Sequence, residues 1–467
     1  MFNGDSFLLK SEMAADFYQD IKDMPILDYH CHLSPKEIYE NKTYYNLTEL
    51  WLEADHYKWR TMRNAGIDEY YITGDADKKE KFMQFASIMP DFIGNPVYHW
   101  AHLELKQYFG ITTPLSASTA DQIWEDTLEA MKSGHFCARE LIEGSNVKVV
   151  VTTDDPADDL NYHELLLSED LSFKVLPCFR TDRIINITAK DFKDYIFKLG
   201  RAAGVNIQNL PALINAIKIR LEYFMSLGCV ATDVSFADFP KSRGSYEEAN
   251  IAFMRVLSGE DIDSQSRDDY VFVMLCEIAR LCKENDIVMQ LHMGVLRNQN
   301  SLRFAQIGPD TGIDSLSNSL DIVAGGRLFD YIEKTCGLPK TIVYTLNPNS
   351  YYPLATMIGD FAGETRGKMQ LGAAWWFMDH RDGIEEQLRI YANTSGLGLF
   401  NGMLTDSRSF TSYARHDYFR RILCSIIAEW VQNDEYPEDY DAILRLLKNI
   451  CYYNADKFFL GGETLWN

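Results

Sequence analysis

The chain has 467 residues, with 45 lysines and arginines against 68 aspartates and glutamates, which gives a formal net charge of −23 at pH 7. So acidic a protein is poorly suited to nucleic acids or anionic membranes, and no apolar run is long enough to cross a bilayer. Nine scattered cysteines without paired spacing are typical of reduced thiols. We therefore expect a cytoplasmic globular protein, either one large domain with insertions or two to three domains.

The first informative stretch covers residues 25–33, an apolar run that ends in His30, Cys31 and His32. Side chains two apart on a strand share one face, so a strand here would offer one metal ion a nitrogen from each histidine. The alternative is a half-buried strand whose histidines only satisfy backbone groups. His-x-His alone does not decide between them.

Residues 34–145 lack a convincing strand. Helical periodicity in this segment predicts four amphipathic helices, at residues 45–54, 78–88, 97–109 and 120–133. We interpret the segment as a helical insertion that covers the mouth of the following structure. It divides the chain into an N-terminal segment with the first strand (1–33), the insertion (34–145) and the remainder (146–467).

Regular alternation of strands and helices begins after the insertion. The predicted strands are residues 147–152, 174–179, 229–232, 287–291, 341–346, 369–374 and 400–405, with helices in most gaps and in the tail. Together with the first stretch they make eight strands. This order predicts an α/β fold, a (β/α)8 TIM-type barrel with a helical insertion after the first strand and extra C-terminal helices. An open doubly wound sheet competes, but no glycine-rich phosphate loop follows the first strand.

Polar residues follow most of these strands, and the carboxyl ends of barrel strands form the active site in such folds. The residues are His30, His32, Asp154, Asp155, Arg180, Asp182, Asp233, His292, Asn347, Trp375, Trp376, Asp406 and Arg408. Because the eighth strand closes against the first, we predict that Asp406 joins His30 and His32 around one divalent metal ion. Nitrogen and oxygen ligands suit zinc. The competing role for Asp406 is a helix N-cap.

Longer segments resemble the uronate isomerases, also called glucuronate isomerases, of the amidohydrolase superfamily over nearly the whole chain. The matching segments are residues 28–35 (DYHCHLSP), 54–60 (ADHYKWR), 94–96 (GNP), 152–156 (TTDDP), 308–312 (GPDTG), 375–377 (WWF), 402–410 (GMLTDSRSF) and 415–421 (RHDYFRR). His-x-His is shared with many hydrolases of the superfamily. The segments around His56 and Asp406 are specific to the isomerases.

The resemblance implies a reaction, the conversion of D-glucuronate to D-fructuronate and of D-galacturonate to D-tagaturonate. This aldose–ketose isomerisation moves a proton between C2 and C1 through an enediol. Asp406 is then expected to deprotonate a substrate hydroxyl beside the metal, and His292 is counted with the catalytic residues. The base for the C2 proton is Tyr57, His56, or Arg408 acting with a neighbour, and we favour Tyr57 paired with Arg408.

Recognition of the substrate carboxylate requires a cation that can make two hydrogen bonds, which arginine provides. We expect Arg180 in this role and Arg60 as the second candidate. The alternative for both is an ion pair, with Asp182 or Asp55. Trp375 and Trp376 are expected to shape the pocket, and strand alternation predicts that only one of them faces it.

Two other functions compete with the isomerase. A mononuclear metallohydrolase, such as a deaminase or lactonase, would use the same histidine pair without an enediol base. A non-catalytic sugar-acid sensor would not need so complete a set of catalytic side chains. The fourth strand offers Asp233 where binuclear relatives carry a bridging lysine or glutamate, so we expect one metal ion. We also expect a small-molecule partner only, a uronic acid, and a homo-oligomer.

Overall fold

We describe the protein from a computed structural model that covers residues 4–363 and 365–462; the ends of the predicted segments 1–33 and 146–467, and Glu364, lie outside the described residues. Ten strands occur in this part. They are β1 (Ile26–Asp28), β2 (Val147–Val151), β3 (Lys174–Leu176), β4 (Phe179–Arg180), β5 (Ala231–Phe236), β6 (Val288–Met293), β7 (Val295–Leu296), β8 (Ser315–Leu316), β9 (Thr341–Thr345) and β10 (Met369–Leu371). Strands β7 and β8 form a short antiparallel hairpin, and the others pair in parallel.

The parallel strands follow one another around a ring. One sheet has the order β1-β2-β3 and the other has the order β4-β5-β6-β9-β10. A parallel bridge between Asp154 and Phe179 connects them. The predicted third strand is split at Pro177, which has no N–H to donate to a neighbouring strand. The predicted first strand ends at Asp28, so His30 and His32 lie beyond it.

The segment predicted as the eighth strand, residues 400–405, is not a regular strand. It nevertheless closes the ring. Asp406 N–H donates to His30 O at 3.2 Å, and His32 N–H donates to Ser407 O at 2.9 Å. The positive φ angles of Gly402 (78°) and Asp406 (46°) explain why the backbone leaves the strand conformation here.

The chain before β2 is mainly helical, and β1 is the one regular strand in its described part. Its helices are α1 (Glu12–Ile21), α2 (Pro35–Tyr39), α3 (Leu47–Trp51), α4 (His56–Asn64), α5 (Lys78–Ile88), α6 (Pro96–Phe109), α7 (Ala120–Met131) and α8 (Ala138–Gly144). The prediction for residues 78–88 is confirmed to the residue. The helix predicted at 45–54 is shorter, because Asn46 caps it through a bond to Glu49 N–H.

The helices between the later strands are α9 (Asn161–Leu167), α10 (Asp182–Ile185), α11 (Phe192–Ala203), α12 (Leu210–Ser226), α13 (Tyr246–Ser258), α14 (Ser264–Glu284), α15 (Ser301–Ile307), α16 (Ile322–Thr335), α17 (Tyr351–Gly359) and α18 (Arg381–Thr394). The tail forms α19 (Ala414–Gln432), α20 (Tyr440–Lys448) and α21 (Asn454–Leu460), with a π-helical turn at Asn449–Tyr453. In the described part of the chain, no helix combines the length and apolarity needed to cross a membrane.

The parallel strands are buried on both faces, which explains their continuous apolar runs. Val149 and Val151 belong to an inner cluster with Leu27 and Val288, whereas Val150 packs in a larger outer cluster beneath the helices. That outer cluster draws residues from all three predicted segments of the chain. The division at 33/34 and 145/146 therefore stays a prediction about chain order. All nine cysteines are free thiols.

Candidate active site

A cavity of about 670 Å³ lies at the carboxyl end of the parallel strands. It is lined by His30, His32, His56, Thr153, Asp155, Asp158, Arg180, Asp182, Arg183, Asn186, Asp233, Ser235, His292, Arg297, Asn298, Pro309, Asp310, Trp375, Trp376, Asp406 and Arg408. Most strand-end residues predicted from the sequence line this cavity. Asp154 and Asn347 are not among them. Asp154 accepts a hydrogen bond from Thr152 Oγ1 at 2.7 Å, and Asn347 Nδ2 donates to Ser317 O at 3.0 Å.

The two histidines of the first stretch converge on Asp406. Asp406 Oδ1 lies 3.4 Å from His30 Nε2 and 3.0 Å from His32 Nε2. Burial opposes ionisation of Asp406, but the bonds from both histidines hold the pKa of its carboxyl well below the usual range. His32 Nδ1 is already bonded to Thr153 Oγ1 at 2.6 Å, which leaves Nε2 for a metal. This nitrogen and oxygen set fits a zinc ion.

Asp28 fixes the segment that carries Asp406. Its buried carboxylate accepts Thr405 N–H at 2.9 Å and Thr405 Oγ1–H at 2.5 Å. Burial raises the pKa of Asp28 to about 6. Asp28 therefore anchors the residue before Asp406.

His292 and Asp233 form a second pair beside His30. His292 Nδ1 lies 2.6 Å from Asp233 Oδ1, and the His292 ring stacks on Tyr344 at 4.1 Å between centroids. His292 Nε2 is buried and has no hydrogen-bond partner among the described residues. Burial lowers the pKa of His292. Burial alone would raise the pKa of Asp233, but the neighbouring His292 and Arg180 hold it below its usual value. Asp233 lies within β5, because that strand runs three residues past it.

Arg180 reaches the cavity from β4. Its Nη2 lies 2.9 Å from Asp182 Oδ2, and its Nη1 lies 3.5 Å from Asp233 Oδ2. Burial opposes the charge, but these two carboxylates raise the pKa of Arg180 above its usual value. The ion pair with Asp182, considered from the sequence as the alternative role, is present. The arginine still lines the cavity, so it remains available to an anionic substrate.

Helix α4 brings His56 to the cavity. Asp55 caps the helix by accepting the N–H groups of Tyr57 at 2.9 Å and Lys58 at 3.3 Å, which fixes its first turn. The His56 ring packs on Trp376 at 5.2 Å and on Tyr57 at 5.1 Å. Tyr57 itself does not line the cavity, and its hydroxyl donates to Asp379 Oδ2 at 3.1 Å.

Arg60 is outside the cavity. Its Nη1 donates to Gly312 O at 3.1 Å and Asp314 O at 2.7 Å, and its guanidinium packs on Phe377 at 4.9 Å. It therefore holds the loop between β7 and β8 against α4. A Cβ at Gly312, where φ is 85°, would lie 2.8 Å from His56 O, so only glycine permits this close approach.

Both tryptophans line the cavity, so the prediction that only one would is wrong. Strand β10 ends at Leu371, and Trp376 has a φ of 50°, so strand alternation does not apply to the pair. Sequence reasoning also missed Arg297, whose guanidinium packs on Trp376 at 5.0 Å, and the buried pair Asp379 and Arg415. Segments 308–312 and 415–421 were marked by the resemblance, but no periodicity assigned them a role.

Comparison with known proteins gives a consistent result. A family model described as glucuronate isomerase matches residues 1–459. The uronate isomerase of Caldanaerobacter subterraneus subsp. tengcongensis is 48% identical over 460 residues, 98% of this chain and 99% of the relative. That of Caldicellulosiruptor bescii is 47% identical over 462 residues, again 98% of this chain and 99% of the relative. The crystal structure of the Thermotoga maritima uronate isomerase superimposes with a TM-score of 0.93 at 32% identity, covering 98% of this chain and 100% of that one.

Proposed function

Since the chain belongs to the glucuronate isomerase family, we propose that it interconverts D-glucuronate with D-fructuronate and D-galacturonate with D-tagaturonate. The observation that carries this proposal is the convergence of His30, His32 and Asp406 in one cavity with Arg180. The reaction is an aldose–ketose isomerisation. A proton moves from C2 to C1 of the open-chain sugar, and a second proton moves from the oxygen on C2 to the oxygen on C1.

We propose that His30, His32 and Asp406 hold one divalent ion, zinc by the chemistry of the donors. When bound, such an ion polarises a carbonyl or hydroxyl oxygen and stabilises the negative charge of an enediolate. The burial and spacing of the three side chains support this assignment. His30 is buried, His32 and Asp406 are partly buried, and their ligand atoms lie within 4.8 Å of one another, the arrangement that a shared cation requires.

Arg180 is the proposed ligand of the substrate carboxylate. A guanidinium can bind a carboxylate with two parallel hydrogen bonds, and the net negative charge of the protein makes such a local cation necessary. Asp182 competes for Arg180, so binding exchanges one carboxylate for another. Arg60 stays the second candidate, and it would have to leave the carbonyl oxygens of Gly312 and Asp314. Trp375 and Trp376 form an aromatic wall of the cavity.

The proton transfers are assigned to Asp406 and to Tyr57 acting with Arg408. Asp406 accepts the proton of the substrate hydroxyl. Tyr57, acting with Arg408, moves the proton between C2 and C1, and His56 is the alternative because it lies nearer the cavity. His292, oriented by Asp233, is placed to hydrogen-bond a substrate oxygen through its free Nε2.

The test combines turnover with metal analysis on one preparation. Each uronate is incubated with the zinc-loaded protein, and formation of the ketose is followed by NMR; the absence of a ketose from both would refute the proposal. His30→Ala and Asp406→Asn are expected to lose metal and activity together. His135→Ala is the matched control, since His135 is 76% exposed and pairs only with Glu140 among the described residues.

The same assay separates the isomerase from a metallohydrolase. A hydrolase needs no enediol base, so His56→Asn and Tyr57→Phe would leave its activity largely intact. The family relationship does not favour that reading. The cytoplasmic location and the homo-oligomeric state stay predictions from the sequence, and size-exclusion chromatography with light scattering measures the second.

A further inference from the structure

The loop that follows β10 contains a buried carboxylate, Asp379, that the reaction described above does not use. Its side chain is 2% exposed. Oδ2 accepts the hydroxyl of Tyr57 at 3.1 Å and lies 3.5 Å from Arg415 Nη1, while Oδ1 has no hydrogen-bond partner among the described residues. Burying a carboxylate this deeply is costly unless a function or a fixed cation retains it.

Arg415 is that fixed cation. Its side chain is also 2% exposed, and its Nη1 donates to Thr405 O at 2.9 Å. The guanidinium lies over the rings of Trp100 and Tyr57, at 4.1 Å and 5.0 Å from their centroids. One rigid side chain therefore contacts the Tyr57 ring, the carboxylate that binds the Tyr57 hydroxyl, and the residue before Asp406.

The protonation states follow from this arrangement. Burial and the neighbouring Asp379 raise the pKa of Tyr57 well above its usual 10, so the phenol is neutral near pH 7. Burial raises the pKa of Asp379 to about 7, and Arg415 opposes this rise. A tyrosinate base is thus inaccessible, whereas the carboxylate beside the phenol is a stronger proton acceptor than an ordinary aspartate.

We propose that Asp379 is a positioning residue for Tyr57, which orients the phenol hydroxyl and accepts its proton while the phenol oxygen takes the proton from C2 of the uronate. The inference rests on the proposed function and on the assignment of the C2 proton to Tyr57. It goes beyond both, because it adds Asp379 as the group that orients Tyr57 and takes the phenolic proton. It requires the substrate to reach the Tyr57 oxygen beside His56, because His56 lines the cavity and Tyr57, which packs on it, does not. An unchanged kcat in Tyr57→Phe therefore also overturns it.

The protons and electrons balance in each direction. The C2–H bond breaks, its electron pair forms the C1=C2 bond of the enediolate, and the former carbonyl oxygen takes the negative charge. The C2 proton bonds to Tyr57 Oη as the phenolic proton passes to Asp379 Oδ2. Asp406 then transfers the proton of the C2 hydroxyl to the oxygen on C1, which leaves the negative charge on the oxygen of C2. As the C2=O bond of the ketose forms, Tyr57 delivers its proton to C1 and recovers a proton from Asp379.

The test is a double-mutant cycle with Asp379→Asn, Tyr57→Phe and the double variant, all loaded with zinc. Removing an acid–base partner is expected to lower kcat about 100-fold with KM changed less than about threefold. The double variant should be no slower than Tyr57→Phe alone. With substrate deuterated at C2, Asp379→Asn should show a larger isotope effect on kcat than the wild type, because proton transfer becomes slower. A smaller fraction of folded enzyme would lower kcat but leave the isotope effect unchanged.

Asp154→Asn is the matched control, because Asp154 is a buried carboxylate with a pKa of about 7 that does not touch Tyr57. Its effect should add to that of Tyr57→Phe. Additive effects of Asp379→Asn and Tyr57→Phe, or an Asp379→Asn variant with wild-type kcat, overturn the inference. An inactive wild-type protein instead overturns the proposed function. If Asp379→Asn does not fold, NMR of the Tyr57 hydroxyl proton decides: slow exchange with water supports the inference, and exchange at the solvent rate overturns it.

Discussion

Replacing Asp28 tests how the eighth segment is held in the ring. Because this segment is not a regular strand, the carboxylate of Asp28 supplies bonds that a neighbouring strand would otherwise supply. Asp28→Ala removes two hydrogen bonds to a charged acceptor, each contributing about 1.5–3 kcal/mol, or roughly 3–6 kcal/mol together. It also leaves the Thr405 N–H and hydroxyl buried without acceptors.

The ionisation of Asp28 offsets part of this loss. Burial raises its pKa from 3.8 to about 6, and a shift of that size costs about 3 kcal/mol at pH 8, since one pKa unit corresponds to about 1.4 kcal/mol. The two contributions leave a net loss of stability of roughly 0–3 kcal/mol on replacement by alanine, before the cost of the unpaired Thr405 groups is added. Because these contributions oppose one another, the free energy of unfolding is a weak test of the role of Asp28. The affinity of the protein for zinc is the sharper test.

We expect Asp28→Ala to weaken zinc binding about 10–100-fold, the usual effect of removing a group that orients a metal ligand. Competition against a chelating dye measures this affinity, and urea unfolding measures the stability. Asp28→Asn keeps an acceptor for the Thr405 N–H, so it should bind zinc within about threefold of the wild type. Wild-type zinc affinity in Asp28→Ala would refute the idea that this carboxylate places Asp406.

Three further outcomes are expected. Gly372→Ala should destabilise the protein by about 1–3 kcal/mol in urea unfolding, because the new Cβ would lie 2.1 Å from the ring of Tyr344. In the control Gly359→Ala the new Cβ meets no atom within 4 Å, so this variant should be neutral or slightly stabilising. For Asp154, burial raises the folded pKa from 3.8 to about 7, so the native state binds the extra proton between these values and the wild type loses stability as pH rises from 4 to 7. Asp154→Asn should remove up to about 4 kcal/mol of that dependence, and parallel curves for the two proteins would contradict the assignment. Chelation should abolish isomerase activity, and added zinc should restore it with one ion bound per chain, as measured by atomic emission.

The barrel and the convergence of His30, His32 and Asp406 could be predicted because both depend on local patterns and a general rule. Apolar runs locate buried parallel strands, and the carboxyl ends of such strands meet at one edge. That rule brings His30 and Asp406 together although 376 residues separate them in sequence, and the structure places them 3.4 Å apart. The prediction held even though neither residue lies within a regular strand.

The parts that could not be predicted depend on side chains that interact across the fold. The hydrogen bonds from Thr405 to Asp28 hold the eighth segment where a regular strand was expected. Strand propensity does not predict such side-chain bonds. Asp379, Arg415 and Tyr57 belong to three separate segments of the chain and meet only in the folded protein. The alternation argument failed for Trp375 and Trp376, because β10 ends at Leu371 and Trp376 has a left-handed φ.

The contact between Gly312 and α4 has a consequence for protein engineering. The loop between β7 and β8 is attached to α4 through Arg60 and Gly312, and the same helix supplies His56 to the cavity. Loop and helix therefore form one exchangeable unit. Grafting this loop from another isomerase to alter substrate preference requires transplanting α4 with it, since either piece alone would meet a mismatched partner.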